Sequence, residues 1–274
     1  MPIITKISVQ KKLKHRYNIF LKENENDKEY YGFSIDEDLL ISYHLHKGQQ
    51  LNQDQLTQIQ EKDTSYKVYT QSLKYLSYRM RSKQELIKYL QSKEMEMSYI
   101  DEVITRLERE GLLDDLAFSE ALVRTRMETS SKGPLLIKKE LMDKGIAPNY
   151  IEQALSHFTY EKQLDKLHKL YEKKMNRTSK KSYKQQLDTA VQSLIQKGYT
   201  MEVIKEMLSQ INTDKDMDEE KTALYHQGEK FLHKYKRKKT GFELEQAIKA
   251  ALYRKGFDQE LIQQFIEEYV KNDG

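Results

Sequence analysis

Apolar residues along this chain recur in a block of two short helices joined by a tight turn, and the block occurs four times. With Gly145 as the turn position, Leu141 and Ile137 lie four and eight residues before it, and Ile151 and Leu155 six and ten after it. The same offsets from Gly198 give Leu194, Ala190, Ile204 and Leu208, and from Gly256 they give Leu252, Ile248, Ile262 and Ile266. From Glu94 they give Leu90, Leu86, Ile100 and Ile104. All of these positions are apolar, and spacings of four residues stack side chains on one helix face. Glycine after such a run accepts the left-handed conformation that ends a helix. Lys144 suits the negative end of the helix dipole, and Pro148 stands where a first helical residue needs no amide hydrogen.

The turn positions are 51, 53 and 58 residues apart, which leaves room for a third helix between consecutive pairs. An internal period of this size predicts stacked units that bury their faces on one another. The expected fold class is mainly α: tandem three-helix repeats in an elongated curved array, preceded by a small β-containing module. The expected boundaries are 1–63 for the module and 64–110, 111–160, 161–212 and 213–274 for the repeats.

In the module, Ile4, Ile7 and Val9, then Tyr17 to Leu21, then Tyr30 to Ile35 read as a small antiparallel sheet, with Asn24 to Asp27 as a polar turn. A helix near Glu37 to His44, Lys47-Gly48 and a polar helix near Asp54 to Glu61 complete it. The first repeat then opens with its own helix, from about Tyr66 to Arg79. Ser82-Lys-Gln-Glu85 predicts a capping box, and Ser98 with Asp101 predicts another for the helix that Gly111 ends. Asp114 or Asp115 caps the next helix, which runs to about Met127 and is broken by Lys132-Gly133-Pro134. Leu164, Leu167, Leu170 and Tyr171 mark a helix from Tyr160 to Met175, and Asn212 to Glu220 reads as a linker. The last repeat opens with a helix through Leu224, Phe231 and Tyr235.

Composition supports long helices, since ten glycines and three prolines in 274 residues leave little material for turns. The chain has no cysteine, which excludes disulfides and thiolate metal sites and fits a reducing cytoplasm. No apolar run reaches the length of a membrane helix, and the start MPIITK lacks the apolar stretch of a secretory signal. A cytoplasmic protein with no membrane partner is expected. The net charge is only +4, so any affinity for polyanions must come from local clusters.

Candidate chemistry is sparse. Asp114 and Asp115 at a helix start read as caps, because the amides there lack partners. His44 with His46, and Glu229 with His233, lack the further ligand of a metal motif. The chain carries neither a glycine-rich phosphate loop nor a nucleophile elbow. Neither catalysis, a metal nor a cofactor is expected. Nineteen tyrosines offer stacking on single-stranded bases, but most read as core or boundary residues, Tyr150 among them.

The basic residues form clusters. Arg79, Arg81 and Lys83 lie at a helix junction; Arg124 and Arg126 end one helix, Lys132 follows in a loop, and Lys138 and Lys139 lie on the next. These read equally as contacts to phosphates or acidic protein, or as a solvated face balanced by Glu128, Glu140 and Asp143. The segment 173–184 holds six positive residues and no acidic one, with Lys180, Lys181 and Lys184 at its end. Lys236-Arg237-Lys238-Lys239 is a second unbalanced run. Both are candidate polyanion contacts.

Three motifs stand in order along the chain: Tyr75-Leu-Ser-Tyr-Arg-Met-Arg-Ser-Lys-Gln-Glu-Leu86, Gly111-Leu-Leu-Asp-Asp-Leu-Ala-Phe118, and Lys132-Gly-Pro with Ile137 and Glu140-Leu-Met-Asp-Lys-Gly-Ile146. In that order and at that spacing they resemble the RecX family of regulatory proteins. The resemblance is close over residues 68–160 and looser in the later repeats, where this chain looks like a longer form with an amino-terminal extension and an added repeat. Glu94-Met95 and Met80 depart from the family's lysine-glycine turn and proline. The resemblance implies a cytoplasmic modulator of the RecA recombinase in recombination, DNA repair and the SOS response; a monomer is expected. Such proteins bind the groove of the RecA filament on single-stranded DNA, restrain its ATPase and strand exchange, and also bind DNA directly, duplex included. The alternative is a helix-turn-helix-like regulator that reads duplex DNA by itself, with a helix in the major groove.

Overall fold

The computed structural model describes residues 1–24, 26–175, 180–211 and 216–270. Glu25 of the expected turn, residues 176–179 of the first basic run and residues 212–215 of the expected linker lie outside these. The chain divides into two compact units, Met1–Phe118 with Lys144–Ile146, and Ser119–Asp143 with Ala147–Gly274.

The amino-terminal sheet is antiparallel in the order β1 (Ile3–Val9), β2 (Arg16–Lys22), β3 (Tyr30–Asp36). Alternation buries Ile4, Ile19, Leu21, Phe33 and Ile35 against Leu45, Leu51, Leu56 and Ile59. Asp36 closes β3 and caps α1 (Glu37–Ser42) by accepting the Asp38 amide at 3.2 Å.

The two helices expected near Asp54–Glu61 and Tyr66–Arg79 are one helix, α2 (Gln53–Leu76). Asn52 and Gln55 form a capping box at its start. The sequence offers no glycine or proline to stop it, and tertiary contacts hold both halves. Leu56 and Ile59 belong to the module's core, whereas Val68 belongs to that of the first repeat. At the middle sits Asp63, a buried carboxylate 2.7 Å from Arg16 of β2 that also accepts the Asp36 amide at 3.1 Å. A polar residue that resembles a helix boundary in the sequence is here an interior anchor.

The first repeat adds α3 (Lys83–Gln91) and α4 (Met97–Arg109), and the second consists of α5 (Asp115–Thr129), α6 (Pro134–Asp143) and α7 (Pro148–Leu155). The third has α8 (Tyr160–Met175), α9 (Tyr183–Gln196) and α10 (Met201–Gln210), and the fourth α11 (Met217–Tyr235), α12 (Gly241–Arg254) and α13 (Gln259–Tyr269). The aliphatic columns point inward, except that Leu155 and Leu208 are only half-buried. Their neighbours Ala154 and Met207 take the core position, because three and four residues on from the preceding anchor share one helix face.

Ser82 and Glu85 form the predicted capping box. Ser98 does not cap α4: the helix starts at Met97, so Ser98 lies inside it and its hydroxyl donates to Glu96 at 3.0 Å. Asp114 accepts the amides of Leu116 and Ala117, both at 2.9 Å. Tyr150, expected at a core boundary, is 36% exposed.

Three of the four turns, those at Gly145, Gly198 and Gly256, pack onto the start of a middle helix. Ser82 Oγ donates to the Lys144 carbonyl at 2.8 Å, and the Lys83 amide donates to Asp115 at 2.8 Å. Burial pushes the Asp115 carboxyl up, against the pull of that amide. At α6, the amides of Gly133 and Leu135 donate to the carbonyls of Lys197 (2.7 Å) and Gly198 (3.1 Å), and Pro134 between them has no amide to satisfy. At α9, Ser182 donates to the Lys255 carbonyl, and the Tyr183 amide donates to Glu220 at 2.7 Å. The approach is close enough that a Cβ on Gly198 would lie 2.7 Å from the Leu136 backbone nitrogen. Glu94, the non-glycine at this position, is exposed and adopts the same left-handed conformation at φ +59°.

Candidate polyanion-contact surface

The first cluster sits between α2 and α3. Arg79 is exposed and pairs with Glu85 at 3.0 Å, and Lys144 reaches the same carboxylate oxygen at 2.9 Å. Partial burial pushes the Glu85 carboxyl up, but hydrogen bonds from Arg79, Lys144 and the Ser82 amide outweigh it and bring the pKa to about 2. Lys83 pairs with Glu108 at 2.9 Å. The Arg81 guanidinium lies 4.3 Å from the centre of the Tyr75 ring, which stacks on Tyr89 at 3.9 Å with the planes 3° apart. A cation on a ring face is held by the ring's quadrupole, and Arg81 Nε is buried without a hydrogen-bond partner. Most of this cluster's charge is therefore spent inside the fold.

The second cluster, on α5, α6 and the loop between them, divides in two. Arg126 makes a bidentate pair with Glu140, Nη2 at 2.6 Å and Nε at 3.0 Å, and Lys132 joins the same carboxylate at 2.7 Å. The Arg126 hydrogen bond, opposed by burial and helped by Lys132, lowers the Glu140 pKa to about 2. Arg124, Lys138 and Lys139 are exposed and have no ion-pair partner among the described residues. These three carry the charge available to an outside anion.

In the later runs, Lys180, Lys181 and Lys184 are exposed. The Lys180 carbonyl accepts from Gln227 at 2.7 Å, and the Lys184 stem lies under Gly256. Lys236, Arg237 and Lys238 are exposed in the turn after α11, and Lys239 pairs with Glu243 at 2.7 Å. One cation escaped the sequence reading. Lys166 of α8 donates to the carbonyls of Arg126 (3.3 Å) and Met127 near the end of α5, and burial lowers its pKa. It braces the end of α5, where the Arg126 carbonyl also accepts the Ser130 amide at 3.2 Å, but Lys166 and these carbonyls are some forty residues apart in sequence, so no local signal marks the contact.

Comparison with known proteins accounts for the motif order and the repeated units together. The family model "Regulatory protein RecX N-terminal domain" matches residues 2–52, and those for the first and second three-helix domains of RecX match 69–107 and 114–155. The model for the third three-helix domain matches twice, at 161–208 and 218–266. The regulatory protein RecX of Oceanobacillus iheyensis is 43% identical over 273 residues, covering 100% of both chains. This chain belongs to the RecX family. The RecX of Halalkalibacterium halodurans is 44% identical over 271 residues, covering 98% of this chain and 100% of that one. A crystal structure of regulatory protein RecX superposes with a TM-score of 0.63 at 32% identity, covering 77% of this chain and 100% of that one. RecX from Lactobacillus salivarius gives 0.52 at 38% identity, covering 54% and 96%. Family membership makes the chain a regulatory protein, and the second match to the third-domain model identifies the added repeat. Among the described residues no helix is long and apolar enough to cross a membrane.

Proposed function

We propose that this RecX-family chain binds the RecA nucleoprotein filament in its groove and inhibits its ATPase and strand exchange. It does so in the cytoplasm by steric and electrostatic occupation, with no chemistry of its own. The observation that carries this reading is the family match along the whole chain, module and all four repeats included. Arg124, Lys138 and Lys139, together with the exposed Lys180, Lys184, Arg237 and Lys238, are the cations offered to DNA phosphates or filament carboxylates. Arg126 and Lys132 act instead as internal braces of Glu140. Phosphate contacts of this kind bind without base preference and weaken with salt.

The test is the ATPase and strand-exchange rate of the cognate RecA on single-stranded DNA with increasing amounts of the purified chain. Both rates fall if the reading is right. Unchanged rates at saturating protein overturn it, and strong sequence-selective duplex binding without RecA would favour the helix-turn-helix-like alternative.

A further inference from the structure

Two of the packed turns differ in how their lysine is neutralised. Lys144 Nζ meets the Glu85 carboxylate at 2.9 Å, and Glu85 is the third residue of the helix that receives the turn. In the next repeat the lysine is Lys197, and the third residue of its receiving helix α6 is Leu136. The half-buried ammonium of Lys197 has no carboxylate partner among the described residues and donates instead to Ser131 Oγ at 3.0 Å. A serine whose oxygen is taken by a lysine keeps its own hydroxyl proton for a second acceptor.

Lys197 and Ser131 line a cavity of about 240 Å³, joined by Lys173 and Lys174 from α8 and by Ser193 from α9. Among the described residues no carboxylate lines it, and buried Leu194 forms part of its floor. Three lysines and two serine hydroxyls thus share one concavity, with no carboxylate among its described lining residues. Such a set suits a compact oxyanion with several acceptor oxygens, bound by charge-assisted hydrogen bonds, and lysine binds phosphate as a point charge.

We propose that this cavity is a phosphate-binding site, with Lys173, Lys174, Lys197 and Ser131 as donors, filled by a phosphate of a nucleic-acid backbone or by a free phosphate. The inference stands on the cavity and on no property of RecA, and its test contains no RecA, so the two readings fail separately. The full chain is compared with K197Q, S131A and the K173Q/K174Q pair, and with K205Q on α10 as a control outside the cavity. Lys173 and Lys174 are exposed on α8, so their variant leaves the packed turn intact if K197Q does not fold.

One arm measures anisotropy of a labelled oligothymidylate against salt. Loss of one phosphate contact flattens the slope of log K against log salt by about 0.7. The other arm measures the melting-temperature rise on adding inorganic phosphate at constant ionic strength. A flatter slope in the cavity variants alone assigns the site to a strand, and a lost phosphate-induced shift alone assigns it to free phosphate. Cavity variants indistinguishable from wild type in both arms, or matched by K205Q, overturn the proposal.

Discussion

Glu94 holds a conformation that its three counterparts assign to glycine, and replacing it isolates the cost. Its φ is +59°, beside +74° at Gly145, +88° at Gly198 and +85° at Gly256. A residue with a Cβ in the left-handed region costs roughly 1–2 kcal/mol. Glycine relieves that cost but loses about 0.4–1 kcal/mol through its freer unfolded chain. Glu94→Gly is therefore expected to stabilise its unit by about 0.5–1 kcal/mol. Glu94→Ala keeps the Cβ and removes the rest of the side chain, so it should gain nothing. Urea unfolding followed by circular dichroism, with midpoints compared at constant slope, measures the difference. At Gly145 the reverse holds: a Cβ there would lie 2.6 Å from Gln84, so Gly145→Ala should lose more than Glu94→Gly gains. If Glu94→Gly and Glu94→Ala unfold at one midpoint, the backbone argument fails.

Other outcomes follow from the ion pairs. Glu85 and Glu140 both have pKa values lowered from 4.5 to about 2, so their stabilisation is full above pH 4.5 and is lost as pH falls toward 2. Allowing for solvent screening, each contributes on the order of 1 kcal/mol; the double variant E85Q/E140Q should flatten the acid limb of stability against pH, and an unchanged limb refutes the assignment. Glu140→Gln frees Arg126 and Lys132, so single-stranded DNA affinity should rise and its salt slope steepen by up to about 1.4; a wild-type slope sinks the view of these two as internal braces. Asp63→Ala strands Arg16 and should cost about 3–5 kcal/mol. Arg16→Met with Asp63→Leu should cost less, and chemical denaturation of both variants decides; equal losses contradict the pairing argument.

Whatever rests on local chemistry and short-range periodicity could be read from the order of residues alone. The aliphatic columns, the three strands, the Ser82 capping box and the motifs that place the chain in its family were all legible, because each is written within a few residues. Tertiary structure decided the partners. Asp63 looks like a boundary until β2 delivers Arg16 to it, and α2 then runs on unbroken. Arg126 and Lys132 look available until Glu140 takes both, whereas Arg124, two residues away, stays open. Lys197 is one more turn lysine until Leu136 occupies the place of its carboxylate. Glycine is required at Gly145 and Gly198 because other side chains and backbone press on those turns, and Glu94 escapes the requirement because its turn is exposed. A charged side chain's role depends on which opposite charge comes within about 4 Å, and residues far apart in the chain set that distance.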